Sequence, residues 1–154
     1  MPIPLLKLKI CFCQFSSLRR HMQKVVATVG LIPFFSYMVL EQGALSGKFD
    51  EAHPFPAGRE RARVYDPMLK RLTTLNAGLR ELADRHQCSI AQLAIAWAIA
   101  KGTVPIIGVT KRDQVTDAIA AASVALSEAE VLQMEKLADQ LGICVVRSWE
   151  EEMR

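Results

Sequence analysis

Three short runs of apolar residues constrain the fold of this chain more than any other feature. They cover residues 8–13, 32–40 and 104–109, and each has the length of one β-strand. None of them alternates apolar with polar residues, which predicts strands that are buried on both faces. Helical signals lie between and after the runs, and this alternation is typical of parallel βα units joined by right-handed crossovers.

The helical segments carry clear start signals. Asp66 precedes Pro67, which predicts an N-cap followed by the first helical turn. The apolar stripe of this helix consists of leucines at positions 69, 72, 75, 79 and 82. Capping boxes at Ser89 and Ser127 predict two more helices, and a short one is expected over 112–122. We also expect a helix between the first two apolar runs. Together these elements predict an α/β fold with about three parallel strands and five helices.

Composition excludes several classes of protein. Of the 154 residues 51% are hydrophobic and 23% are charged, but no apolar run approaches the roughly 18–20 residues of a membrane-spanning helix. The net charge of +3 comes from charges that alternate in sign, which does not favour nucleic-acid binding. The four cysteines lack zinc-site or CxxC spacing, and no leader peptide is evident. We therefore expect a cytoplasmic protein with reduced thiols and without nucleic-acid or membrane partners.

About three strands cannot close a barrel, because a (β/α)8 barrel needs eight strands and roughly 250 residues. The chain is expected either to form a small open sheet or to be one end of a barrel. Open strand edges would favour self-association. Residues 1–31 are weakly patterned, which divides the chain into this segment and a domain over 32–154. A long polar loop over 47–65 follows the second strand, where α/β proteins place ligands.

Three longer motifs lie in register over the second part of the chain. They are FFSYMVLEQGALSGKF at residues 34–49, AQLAIAWA at 91–98 and PIIGVTK at 105–111. In order and interval they resemble the seventh strand with its loop, a helix and the last strand of the aldo-keto reductases. The resemblance implies the carboxyl-terminal half of a (β/α)8 TIM barrel that reduces aldehydes and ketones with NADPH and without a metal. The family's Asp, Tyr, Lys and His tetrad belongs to earlier strands, so no catalytic residue carries over.

The resemblance also implies a set of NADP-binding residues. Tyr37 matches an aromatic residue that stacks on the nicotinamide ring. The residues expected at the pyrophosphate are Met38, Leu40 and Gln42. Those expected at the adenosine 2′-phosphate are Gly108, Val109, Thr110 and Lys111. Gln114 and Asp117, on the following helix, are expected to contact phosphate and adenine. Met38 departs from the serine that is common in the family, and Ala118 departs from a common asparagine.

Residue type alone leaves plainer alternatives open. Tyr37 also fits a core aromatic residue whose hydroxyl reaches water. Lys111 and Arg112 also fit a solvated pair at the start of a helix. The three histidines, at positions 21, 53 and 86, have no acidic partner at ligand or triad spacing, which predicts surface or loop positions.

Three functions stand as hypotheses. The first is a truncated, NADP-dependent aldo-keto reductase-type oxidoreductase that is limited to cofactor binding, because no acid is present to protonate the oxygen of a small carbonyl substrate. The alternative is a non-catalytic truncated product that self-associates or pairs with a full-length relative. The third is a helical adaptor, which gives no role to the turn over 106–111.

Overall fold

The computed structural model of the protein describes residues 34–143. Within them lie two strands and five α-helices, in the order β1 (Phe34–Ser36), α1 (Glu60–Tyr65), α2 (Leu69–Arg85), α3 (Ile90–Ala100), β2 (Thr103–Pro105), α4 (Arg112–Ala121) and α5 (Glu128–Leu141). Two short 3-10 helices span Glu41–Ser46 and Asp66–Met68. The strand predicted over 8–13, the helix predicted after it and the boundary at residue 31 lie outside the described residues and stay predictions.

The two strands are parallel, with Phe35 opposite Val104. The buried hydroxyls of Ser36 and Thr103 lie 3.0 Å apart across the sheet. Because the Thr103 hydroxyl donates to the carbonyl of Ala98 at 2.7 Å, the Ser36 hydroxyl is the donor across the sheet. This chain of hydrogen bonds joins β1, β2 and the last turn of α3.

The prediction that the strands are buried on both faces is wrong for the described residues. Side chains alternate between the faces of a strand, and α3 packs against β2 on the face of Thr103. On the other face Phe35 is 56% exposed and Val104 is 45% exposed. The strands are also shorter than predicted, because β1 ends at Ser36, opposite Pro105. The last hydrogen bond between the two segments is the one that the carbonyl of Ser36 accepts from Ile106 N at 2.7 Å.

The leucine stripe of α2 is confirmed, since its residues from 72 onward are buried. The prediction that Asp66 caps this helix is wrong, because α2 begins at Leu69 and its N-cap is Met68. The chain is already helical when it reaches this point. The backbone N–H of Asp66 donates to Ala62 of α1, and the N–H of Leu69 donates to Asp66, so backbone carbonyls serve where a side-chain cap was expected.

The prediction of a loop over 47–65 is wrong for its last six residues, because Glu60–Tyr65 forms α1. Ala62 and Tyr65 lie one turn apart on this helix and are both buried. Their contact with the core stabilises six residues whose polar neighbours resemble a loop in sequence. Tertiary packing therefore decides the conformation here.

α3 lies at the centre of the described fold. It contacts α2, α4, β2 and the Glu41–Ser46 turn, and residues 93–98 are all buried. The predicted capping box is confirmed, with Ser89 Oγ accepting from Gln92 N at 3.1 Å and Gln92 Oε1 accepting from Ser89 N at 2.8 Å. The box at Ser127 is also confirmed. None of the helices between residues 34 and 143 combines the length and apolarity that a bilayer crossing requires.

Candidate functional site

The backbone after β1 is bent into an uncommon conformation. Met38, Glu41 and Gln42 have φ values of 60°, 46° and 54°, and Gly43 has a φ of 101°. Positive φ is costly for residues with a Cβ and persists only where surrounding contacts enforce it. Strain of this kind clusters at ligand sites, which makes this turn the first candidate for function.

Three side chains from α1 and α2 hold the turn in place. The Tyr65 hydroxyl donates to Glu41 Oε2 at 2.9 Å. Arg61 Nη1 donates to the carbonyl of Gln42 at 3.2 Å, and Asn76 Nδ2 donates to the carbonyl of Ala44 at 3.2 Å. The strained backbone is thus fixed by partners that lie 19 to 32 positions away in sequence.

A cleft of about 420 Å³ opens between this turn and the residues that follow β2. Five of the ten site residues predicted from the sequence line it: Met38, Leu40, Gln42, Gly108 and Gln114. The structure therefore brings together two segments that lie more than sixty positions apart in the chain.

The other five predicted residues are not among those that line the cleft. Tyr37 is half-buried directly after β1. Val109, Thr110 and Lys111 are exposed on the turn before α4, and Asp117 is exposed on α4 itself. Thr110 and Lys111 are nevertheless tied to the cleft, because both donate to Gln114.

Several hydrogen-bond donors of this turn bond to a single oxygen atom of Gln114. Its Oε1 atom accepts from the backbone N of Thr110 at 2.7 Å and from the backbone N of Lys111 at 3.1 Å. The hydroxyl of Thr110 lies 3.3 Å from the same oxygen. The third residue of α4 therefore satisfies donors at the start of its own helix, as the glutamine of a capping box does.

Two cations in the cleft were missed by the sequence analysis. Lys48 and Arg61 both line it, Lys48 exposed and Arg61 half-buried. Lys48 stands inside the motif over 34–49, so a test of every polar residue in that motif would have found it. Arg61 has no such signal, because its position depends on α1, whose residues have the composition of a loop.

Aromatic rings fold the loop over 47–59 back towards the turn. The ring centroids of Phe49 and Phe55 lie 4.0 Å apart, and those of Phe55 and Tyr65 lie 5.2 Å apart. Phe49 also lines the cleft, and a Cβ at Gly43 would lie 3.3 Å from its ring. This stack connects the cleft to the helix that carries Tyr65 and Arg61.

His53 is exposed in a loop, as predicted, and His86 is half-buried at the end of α2, but each has an acidic partner that the sequence spacing did not indicate. His53 Nδ1 lies 3.0 Å from Asp50 Oδ1, and the backbone N–H of His53, which donates to the same carboxylate at 2.7 Å, is the main reason that the pKa of Asp50 is lowered. His86 Nε2 lies 2.9 Å from Glu130 Oε1. His53 and its partner shape an exposed turn, while His86 links α2 to α5. His21 lies outside the described residues.

The described residues bring two cations to the cleft but no cluster of metal ligands. Among residues 34–143, no group of three or more His, Cys, Asp or Glu side chains could hold a metal ion. Cys88 is a free thiol whose pKa is raised by burial and, to a smaller extent, by the charge of Asp84. The cations of the cleft and the amides at the start of α4 favour a ligand with phosphate groups.

Known proteins are similar to most of this chain. A model of the Aldo/keto reductase family matches residues 5–139. The chain is 35% identical over 109 residues to the chloroplastic pyridoxal reductase of Arabidopsis thaliana, covering 71% of this chain and 29% of that protein. It is 33% identical over 110 residues to the NADH-specific methylglyoxal reductase of Escherichia coli, covering 68% of this chain and 33% of that protein.

A solved structure shows where the fold belongs. The glycerol dehydrogenase of Gluconobacter oxydans superimposes with a TM-score of 0.72 and 16% identity, over 90% of this chain and 43% of that one. The described strands and helices are thus part of a TIM-barrel-like α/β fold, and the chain spans about a third of the length of the two curated relatives. Since the family model covers most of its residues, the chain belongs to the aldo/keto reductase family.

Proposed function

We propose that this chain binds NADP in the cleft between the turn after β1 and the residues after β2. The observation that carries the proposal is the convergence of Met38, Leu40 and Gln42 with Gly108 and Gln114 around one cleft. Ligands of parallel α/β barrels bind at the carboxyl ends of the strands, and both segments follow such an end.

The pyrophosphate is assigned to the turn and its two cations. Arg61 uses one donor of its guanidinium group on the carbonyl of Gln42, and the group has five. Further donors are thus available for a phosphate oxygen, to which an arginine binds through strong, charge-assisted hydrogen bonds. Lys48 adds a second positive charge at the exposed rim.

The other parts of the cofactor are assigned to the residues beside the cleft. Tyr37, directly after β1, is proposed to contact the nicotinamide ring. The 2′-phosphate is assigned to the turn over 108–111, where Lys111 supplies a cation and the start of α4 supplies N–H groups. Gln114 and Asp117 are assigned to the phosphate and the adenine. This set of residues distinguishes NADP from NAD only through the 2′-phosphate.

The proposed activity of the isolated chain is cofactor binding without turnover. Members of the family are oxidoreductases, and the substrates in this proposal are small aldehydes and ketones. The resemblance carries no residue of this chain over to the family's catalytic tetrad, and a missing general acid slows reduction of a carbonyl by roughly 10²–10⁴-fold. A cytoplasmic location, which the cysteine pattern predicts, remains part of the proposal.

A fluorescence titration of the purified 154-residue chain with NADPH, and with NADH for comparison, tests the proposal. We expect saturable binding with a preference for NADPH. Absence of binding by folded protein would overturn the cofactor assignment. Oxidation of NADPH that depends on an added aldehyde would instead overturn the absence of turnover.

Self-association is the second candidate, and one observation favours it. Phe35, Val104 and Ile106 are 56%, 45% and 55% exposed at the open face and end of the two-stranded sheet. Apolar side chains in such a position favour contact with a second copy of the chain or with a full-length relative. Size-exclusion chromatography at several concentrations tests this candidate, because a monomer at every concentration contradicts pairing with itself.

A further inference from the structure

A second cleft, of about 340 Å³, lies between the C-terminal end of α3 and the first half of α5. Lys101, two residues before β2 begins, is part of its wall, so this α3–α5 cleft lies at the amino end of that strand. The cofactor cleft lies beyond the carboxyl end of the same strand. None of the ten residues assigned to NADP lines the α3–α5 cleft, so the proposed function does not use it.

One acidic side chain in this cleft, that of Glu135, is almost completely buried. It is 4% exposed, and its Oε1 atom accepts a hydrogen bond of 2.9 Å from Lys101 Nζ. The Lys101 side chain is itself 10% exposed, and its ammonium group lies 5.9 Å from the centre of the Trp97 ring. The second carboxylate oxygen, Glu135 Oε2, accepts no hydrogen bond within residues 34–143 and is not closed off from solvent. Because Glu135 lines the α3–α5 cleft, that oxygen opens into it.

The charges around this oxygen favour a cation. Burial removes most of the water that would solvate the carboxylate, and the bond from Lys101 satisfies only one of its two oxygens. The ionised side chains that line the cleft are those of Lys101, Glu128 and Glu135, which is one positive charge against two negative ones. The C-terminal end of α3, where a helix carries partial negative charge, lies in the wall at Ala100 and adds to the negative potential.

The rest of the wall is apolar. Leu126, Val131 and Leu132 line the cleft beside the charged groups, and all three are half-buried. Sites for small molecules have this lining of apolar side chains around a few polar groups, and their volumes are about 300–1,000 Å³. The α3–α5 cleft is thus suited to a small ligand with one charged end and one apolar end.

We propose that the α3–α5 cleft binds a small protonated amine with an apolar body. The ammonium group of the ligand donates to Glu135 Oε2, so that the carboxylate is shared between Lys101 and the ligand. The apolar body packs against the three apolar side chains of the wall. A ligand that carries a carboxylate fits less well, because Glu128 and Glu135 repel it and Lys101 is already paired.

Benzylamine is the probe, titrated into the full 154-residue chain and followed by the amide chemical shifts of the protein in NMR spectra. The comparison ligands are benzyl alcohol, which has the same ring and no charge, and benzoate, which has the opposite charge. We expect benzylamine to bind about ten-fold more tightly than either, because only its ammonium group pairs with the carboxylate. The shifts should change at Val131 and Glu135 and stay unchanged at Met38 and Gly108, which line the cofactor cleft.

The double variant Lys101→Met, Glu135→Gln removes the ion pair without leaving either charge unpaired, a change that buried ion pairs often tolerate. It is expected to bind benzylamine about ten-fold more weakly than the wild type and to bind benzyl alcohol equally well. Lys136→Met with Asp139→Asn is the matched control. It also removes one charge of each sign, at exposed positions of α5 that do not line the cleft, and it should bind benzylamine as the wild type does.

The proposal is overturned if benzylamine does not bind, or if it binds no more tightly than benzyl alcohol. Unchanged affinity for benzylamine in the double variant also overturns it, because the amine would then bind elsewhere. Should the double variant be too unstable to titrate, Glu128→Gln takes its place. This exposed substitution is expected to weaken benzylamine about two-fold relative to benzyl alcohol, and an unchanged ratio contradicts the proposal. None of these outcomes depends on whether the chain binds NADPH.

Discussion

The Tyr65 hydroxyl donates a hydrogen bond of 2.9 Å to Glu41 Oε2, and both side chains are almost completely buried. Glu41 also has a φ of 46°, so the bond is made to a residue whose backbone is held in an unfavourable conformation. The hydroxyl therefore satisfies one oxygen of a buried carboxylate and fixes the turn that lines the cleft. The aromatic stack through Phe55 and Phe49 connects the same ring to the rim of the cleft.

Tyr65→Phe is expected to lower the free energy of unfolding by about 1.5–3 kcal/mol, because a buried carboxylate loses a donor while the ring remains. NADPH binding should weaken as well, since the turn loses one of its supports. Urea denaturation and the NADPH titration measure the two effects. Thr74→Val, which removes an exposed hydroxyl bonded to the carbonyl of Lys70, is the control. Equal stability of Tyr65→Phe and the wild type would contradict the role assigned to the bond.

Lys48→Ala and Arg61→Ala are each expected to weaken NADPH binding by about five- to thirty-fold, because each removes a cation that we propose contacts the pyrophosphate. NADH carries the same pyrophosphate, so its binding should weaken by a similar factor. Arg63→Ala is the matched control, since Arg63 lies on the same helix as Arg61 and is exposed. A loss of affinity in Arg63→Ala equal to that in Arg61→Ala would point to net charge rather than to a specific contact.

Gly47→Ala is expected to destabilise the protein by about 2–3 kcal/mol. Gly47 has a φ of 69°, and a Cβ there would lie 2.7 Å from Ile90 Cδ1, so both backbone strain and overlap contribute. Gly58 has a φ of 74°, but a Cβ at that position would have no other atom within 4 Å. Gly58→Ala should therefore cost only about 1 kcal/mol, and thermal or urea unfolding compares the two variants. Equal losses of stability in Gly47→Ala and Gly58→Ala would mean that the side chain of Ile90 moves and relieves the overlap.

Acid should destabilise the start of α5 and, to a smaller extent, its contact with α2. The backbone N–H and the hydroxyl of Ser127 bond to Glu130, and with His86 they lower the pKa of Glu130 from 4.5 to about 2. A carboxylate whose pKa is lowered by folding stabilises the fold above its ordinary pKa. That stabilisation is lost as the pH falls from about 4.5 towards 2.

Urea unfolding at pH 6, 4, 3 and 2.5 measures this effect. Relative to Glu130→Gln, the wild-type chain should lose about 1–2 kcal/mol over this range, after allowance for solvent screening of a partly exposed pair. Glu128→Gln, at an exposed position of the same helix, is the control and should follow the wild type. Parallel curves for the wild type and Glu130→Gln would contradict the assignment.

The features that could be predicted from the sequence are those set by local chemistry. The capping boxes at Ser89 and Ser127 and the leucine stripe of α2 depend on residues three or four positions apart, and all three are confirmed. α1 could not be predicted, because its six residues are stabilised by burial of Ala62 and Tyr65 against distant parts of the chain. The prediction that Asp66 is an N-cap was wrong for the same reason, because α1 makes the chain helical before it reaches Asp66.

The candidate site divides in the same way. Met38, Leu40 and Gln42 could be named because the motif over 34–49 contains them in sequence. Arg61 could not, because it reaches the turn only through α1. The internal cap by Gln114 follows the spacing of a capping box, but the lysine at the N-cap position, Lys111, hides the signal that serine or threonine usually gives.

The pairing of β1 with β2 also bears on how the protein folds. Ser36 and Thr103 meet across 67 positions of sequence, and α1, α2 and α3 lie between them. Helices form through local contacts on a fast timescale, whereas a loop of this length must close before the two strands can pair. Because the cleft takes its walls from both strand ends, it exists only after that closure. On refolding from urea, the helical circular dichroism signal should recover first, and the capacity to bind NADPH should return in a later phase.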